Sequence, residues 1–117
     1  MIIAVDFDGT IVTDAYPKMG KPRTRTINYI KNMKEEGCKI ILWTCRSDEQ
    51  LDEALEFCKE VGIEFDAVND NLPEVKELYG NNSRKIYADV YIDDRSFTPV
   101  EVFEERQRRR EAFGVDW

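Results

Sequence analysis

The chain has 117 residues, 42% of them hydrophobic, and a net charge of −7 from 24 acids against 17 bases. That length predicts one domain over 1–117 with one core, and the acid excess argues against a general binder of nucleic-acid backbone. No histidine is present, which excludes His triads, His-ligated zinc and His general bases.

Met1 to Val5 is a continuous apolar run without helical spacing. It predicts a buried strand, central in a parallel sheet whose faces are both covered. Asp6 then falls at a strand's carboxyl end, where open α/β sheets bind ligands. Asp8, two residues on, points the same way. Gly9 permits a sharp exit turn. Residues 9–23, broken by Pro17, Gly20 and Pro22, predict an irregular flap, with Thr10-Ile11-Val12 as one arm of a small hairpin over the site. Thr24 to Glu36 reads as a helix capped by Thr24 or Thr26, with Ile27, Tyr29, Ile30 and Met33 as its stripe and Gly37 as its stop. Cys38 to Trp43 is a second buried strand ending at Thr44. Ser47, paired with Gln50 in a capping-box pattern, opens the next helix, whose buried stripe is Leu51, Ala54, Leu55, Cys58 and Val61. Phe65 to Val68 is a short third strand. Pro73 opens a short helix to Tyr79. Asp89 to Asp93 is the fourth strand, and a last helix covers about 99–112, with Pro99 in its first turn. Its arginine cluster over 106–110 reads as a salt-bridged face, because Glu104–Arg108 and Glu105–Arg109 are i,i+4 pairs in the favourable order. The alternation predicts a three-layer α/β/α sandwich around a mostly parallel, Rossmann-like sheet.

The three cysteines, Cys38, Cys45 and Cys58, are odd in number and lack metal-ligand spacing. They predict free thiols in a reducing cytoplasm, with Cys38 and Cys58 in the core. Met1 leads straight into strand, so no signal peptide is expected. No apolar run approaches the roughly 18 residues of a membrane span.

Chemistry-bearing residues collect at predicted strand ends: Asp6 with Asp8, Thr44, Lys85, and Asp93 with Asp94. Parallel strands bring their carboxyl ends to one edge, so one site can hold several acids, a hydroxyl and an ammonium. Acids held together repel, and a cation, a shared proton or strong donors relieve them. Taken singly, Thr44 closes a strand, Lys85 is a loop lysine and Asp93-Asp94 is a turn.

In order and type these residues resemble the four motifs of the haloacid dehalogenase superfamily. Asp6-Phe7-Asp8-Gly9-Thr10 matches the first motif, Asp-x-Asp-Gly-Thr, and Ile40 to Thr44 resembles the second, an apolar strand ending in Thr or Ser. Lys85, chosen over Arg84 and Lys76 for its distance from Asp93, resembles the third. Val90-Tyr91-Ile92-Asp93-Asp94 resembles the fourth. The resemblance implies a capless member, because the fifteen residues between Asp8 and Thr24, and the fifteen between Asn69 and Lys85, leave no room for a cap domain. It implies a Mg²⁺-dependent phosphomonoesterase with Asp6 as nucleophile and metal ligand. Asp8 would be the acid–base residue, giving its carbonyl to the metal. Asp93 would be the other main metal ligand, with Asp94 supporting through water. Thr44 and Lys85 would hold the phosphoryl group. Asp8 resembles the position found in phosphatases, whereas dehalogenases lack that acid. Arg46 is a candidate substrate contact at the sheet edge, set against an arginine pairing with acids. Arg95 is a weaker one. The expected partner is a phosphorylated small molecule or macromolecular end, with no membrane; an open site implies either a macromolecular phosphate or a small phosphate enclosed by a neighbouring subunit of a homo-oligomer.

Two other classes stand beside this reading. A receiver-like signalling module also gathers acids, Thr and Lys around Mg²⁺, but there the phosphorylated Asp follows the third strand, and Asn69-Asp70 is no match. A catalytically idle scaffold would not need the acids.

Overall fold

In the computed structural model, which describes residues 1–97 and 99–113, the elements run β1 (Ile2–Val5), α1 (Thr24–Glu35), β2 (Lys39–Leu42), α2 (Asp48–Glu60), β3 (Ala67–Val68), α3 (Pro73–Tyr79), β4 (Val90–Ile92) and α4 (Val100–Phe113). The strands form one sheet in the order β3-β2-β1-β4, with every pairing parallel. β1 is internal, as its unbroken apolar run requires.

Alternation along β1 assigns the two faces. Ile3 and Val5, with Ile40 and Leu42 of β2, pack against Ile27 and Ile30 of α1 and Ala54 and Cys58 of α2. Ala4 and Ile41 face the other way, onto Leu72, Val75 of α3 and Ile86. Two helices therefore cover one face and α3 the other, giving the three-layer α/β/α architecture. The progression of strands across the sheet reverses where β4 adds to the far side of β1, so the topological switch point lies between these two strands.

Several local expectations change. Tyr29 stands exposed beside the buried Ile27 and Ile30 of its helix. Neither Thr24 nor Thr26 caps α1; Arg23 holds that position, with no side-chain bond. Ser47 is the N-cap of α2, but its hydroxyl makes no cap bond, so the capping box does not form; the next residue, Asp48, takes a positive φ of 51°. β3 is shorter than expected and begins at Ala67. Before it, Asp66 both donates its N–H to the Ile40 carbonyl at 2.7 Å and accepts the Ile40 N–H on its carboxylate at 2.8 Å. Lys34 of α1 closes an ion pair on the same carboxylate at 2.7 Å. Cys58 is fully buried, Cys38 is half-buried against the same core, and Cys45 is exposed. On α4, Glu105 and Arg109 pair at 3.0 Å. No helix of the described residues is long and apolar enough to cross a membrane.

The flap is a hairpin rooted in the core. Ile11 and Val12 are fully buried rather than lying over the site. Thr13 and Lys21 join its arms through Thr13 N–H to Lys21 O and Lys21 N–H to the Thr13 hydroxyl, both 2.8 Å. Gly20 is obligatory here, since a Cβ would meet the Thr13 carbonyl carbon at 2.7 Å.

Candidate active site

Register builds the site. Val5 is aligned with Ile92, and the Asp6 N–H donates to Ile92 O at 3.0 Å, so Asp6 and Asp93 leave the sheet side by side across the switch point. Val5 is also aligned with Leu42, and Trp43 N–H donates to Val5 O at 2.8 Å, which brings Thr44 out beside the same strand end. Asp6, Asp93 and Asp94 each offer a carboxylate oxygen, all within 4.8 Å of one another. Gly9, at φ +85°, makes room for the third acid, since a Cβ there would sit 2.6 Å from Asp94 Cγ.

Asp6 is half-buried while Asp93 and Asp94 are exposed. Burial, opposed by a hydrogen bond from the Phe7 backbone and reinforced by the charges of Asp93, Asp94 and Asp8, pushes the Asp6 carboxyl up to about 6. Three hard oxygen donors, one of them on a carboxyl that resists ionising, form a donor set suited to a small divalent cation.

Asp8 is not among the three clustered acids and is held by a different partner. Its two oxygens accept Arg46 Nε–H and Nη2–H, each at 2.8 Å. The Arg46 side chain has no exposed surface, so the structure puts it inside rather than at the mouth where a substrate contact was expected. Hydrogen bonding to Asp8 pushes this guanidinium further up, against the opposing effect of burial.

Thr44 is half-buried. Its hydroxyl accepts the Arg46 backbone N–H at 3.1 Å, leaving its own proton to be donated outward. Asn69, at a positive φ of 52°, accepts the Thr44 N–H on its side-chain carbonyl at 2.8 Å. Sequence reasoning passed over Asn69. The available signal was an Asn directly after a short strand, a residue type that tolerates the left-handed region.

Lys85 is exposed, its ammonium 5.7 Å from the centre of the Tyr91 ring. It borders a cleft of about 550 Å³ shared with Asn71, Tyr79 and Tyr87, whose lining includes none of the three clustered acids. Lys76 is tied to Asp70 at 2.6 Å. Arg95 bonds the Asp93 carboxylate through its backbone N–H at 2.7 Å and reaches Asp14 of the flap at 3.4 Å.

The family model for haloacid dehalogenase-like hydrolases matches residues 3–107. The chain belongs to this family. A solved structure of a conserved protein from Bacteroides thetaiotaomicron is 40% identical, with a TM-score of 0.74 over 98% of this chain and 95% of that one. No curated protein matches the sequence. As a haloacid dehalogenase-like hydrolase, the chain carries a cluster of acids at the two strand ends that flank its switch point, and hydrolysis is the activity that membership supports.

Proposed function

We propose that the chain is a Mg²⁺-dependent phosphomonoesterase working through an aspartyl-phosphate on Asp6. The observation that carries this reading is the gathering of Asp6, Asp93 and Asp94 within 4.8 Å at the sheet edge, with Thr44 leaving the neighbouring strand. Asp6, Asp93 and Asp94 would hold Mg²⁺, together with the Asp8 carbonyl. The cation supplies positive charge where a phosphate dianion meets an anionic nucleophile.

An Asp6 oxygen attacks phosphorus. The bond from phosphorus to the ester oxygen breaks, its electron pair goes to that oxygen, and Asp8 supplies the proton. Water then attacks phosphorus and gives its proton to Asp8, and the bond to Asp6 breaks, releasing inorganic phosphate. The Thr44 hydroxyl donates to a phosphoryl oxygen. Lys85 would neutralise the phosphate by turning toward the acids from the cleft it borders. It is proposed over Lys76 because Lys76 is held by Asp70, whereas Lys85 makes no ion pair among the described residues. Asp93 and Asp94 are exposed, so the mouth is open. It suits a phosphorylated macromolecular end, or a small phosphate enclosed by a second copy of the chain. The three free thiols favour a cytoplasmic setting.

Phosphate release from sugar phosphates, nucleotides and 5′- or 3′-phosphorylated oligonucleotides is the test. Release that needs Mg²⁺, stops with EDTA and is lost in Asp6→Asn is expected. A folded protein that binds Mg²⁺, accepts a single phosphoryl group and does not turn over would replace this reading with a signalling module.

A further inference from the structure

Arg46 is a charged side chain with no exposed surface, and its surroundings account for all of its known contacts. Nε and Nη2 fork onto the two Asp8 oxygens at 2.8 Å each. Nη2 also donates to Lys18 O of the flap at 2.9 Å, and Nη1 to Gln50 O of α2 at 3.2 Å. The guanidinium carbon lies 5.0 Å from the centre of the buried Phe7 ring and 5.3 Å from that of the exposed Tyr16 ring.

Such a pair is a poor source of stability, because desolvating two charges offsets most of their attraction, and an apolar pair of the same size commonly does as well. What the fork supplies is direction: a planar, two-point contact fixes both the position and the plane of a carboxylate, which a point-charge ammonium does not. The carboxylate so fixed is the second acid of the first motif, which is not one of the three clustered acids. The two carbonyls hold the guanidinium independently of Asp8, so one arm of the fork can open while Asp8 carries its proton and close again once that proton has passed to the leaving oxygen, without Arg46 leaving its place.

We propose that Arg46 is a positioning residue for the acid–base carboxyl of Asp8, anchoring it to both the flap and α2 rather than contacting substrate. The inference rests on the phosphomonoesterase reading. It has a signature of its own: a leaving-group acid matters in proportion to how poor the leaving group is. An alkyl phosphate needs its departing oxygen protonated, and a p-nitrophenyl phosphate barely does.

R46K and R46Q, each checked for folding by thermal melting, are compared with wild type and D8N on both esters under saturating Mg²⁺. R46K is expected to lose about tenfold or more in kcat on the alkyl ester, toward the lower end of what acid–base catalysis supplies, with a much smaller loss on the p-nitrophenyl ester and KM little changed on either. R46K combined with D8N should be no slower than D8N alone, since both changes disable one device. Equal losses on the two esters, a rise in KM with kcat intact, or additive losses in the double variant would overturn the inference while leaving the phosphatase reading in place. Failure of both Arg46 variants to fold would assign Arg46 to the fold and overturn it too. Wild-type protein that released phosphate from no ester would remove the phosphatase reading, and this inference with it.

Discussion

Gly9 and Asp94 occupy one space: the carboxylate of Asp94 fills the position where any side chain on residue 9 would have to begin. The glycine of the first motif is therefore matched to the second acid of the last, across the switch point. Its φ of +85° adds a backbone requirement to the steric one.

Gly9→Ala should displace Asp94 and weaken cation binding more than it weakens the fold. About 1–2 kcal/mol of stability is expected to go with the left-handed backbone. Mg²⁺ affinity should fall by at least about tenfold, the factor that a 1.4 kcal/mol loss of binding energy represents. Calorimetric titration of Mg²⁺ beside a thermal melt checks the split, and a variant binding Mg²⁺ as wild type does would show that Asp94 needs no such room.

Asp6 sets a pH dependence. Its folded carboxyl is raised to about 6, so the folded state holds this proton more tightly than the unfolded state does. Its contribution to stability is complete below about pH 4, is lost as pH climbs to 6, and stays lost above. Asp6→Asn should thus raise the melting temperature of metal-free protein by a few degrees at pH 7.5, corresponding to about 1 kcal/mol after allowing for partial exposure. At pH 4 the gain should vanish. Protons and the cation compete for the same oxygens, so Mg²⁺ binding to the wild type should weaken as pH falls through 6. Melting curves across pH, with and without Mg²⁺, read both effects.

Asp66 works with the opposite sign. Burial pushes its carboxyl up, but the Lys34 ammonium, the Ile40 N–H and Lys39 together outweigh burial and leave it below the usual range. Its stabilising effect is present above the ordinary carboxylate pKa and disappears as acid protonates it. Asp66→Asn should cost about 1–2 kcal/mol at neutral pH, the scale of a charge-assisted hydrogen bond with a partly exposed partner. Urea unfolding at pH 7 and at pH 3 should show wild type and variant converging in acid.

The thiols should separate by access. Burial pushes the Cys58 thiol up to about 12, whereas Cys45 is exposed. A thiol reagent at pH 8 is expected to label Cys45 promptly and Cys58 only on unfolding, with peptide mapping as the readout. Prompt labelling of Cys58 in native protein would contradict the packing of α2 against the sheet.

Long-range patterns were legible in the sequence because they repeat. The apolar runs of β1, β2 and β4 are each continuous, and the stripes of α1 and α2 recur at helical spacing. Parallel register then carries Asp6, Thr44 and Asp93 to one edge without further information. Single-residue choices were less legible. Ser47 has the right chemistry and spacing for a capping box, yet the turn through Asp48 at positive φ leaves its hydroxyl uncapped. Tyr29 shares the spacing of its neighbours but falls at the edge of the stripe. Arg46 was the least readable, because only the folded flap and α2 supply the carbonyls and rings that bury it. Nothing local distinguishes it from a surface arginine.

The Val5–Ile92 alignment joins the first strand of the sheet to the last in chain order. In the order of synthesis, Asp6 precedes Asp93 and Asp94 by three strands and three helices. Closing so distant a parallel pair costs chain entropy that no nearby contact returns in advance. The acid cluster is thus absent from any nascent chain that stops short of β4, and a half-made chain lacks the completed set of donors. Mg²⁺ added during refolding should accordingly leave early steps unchanged and slow only unfolding of the completed protein.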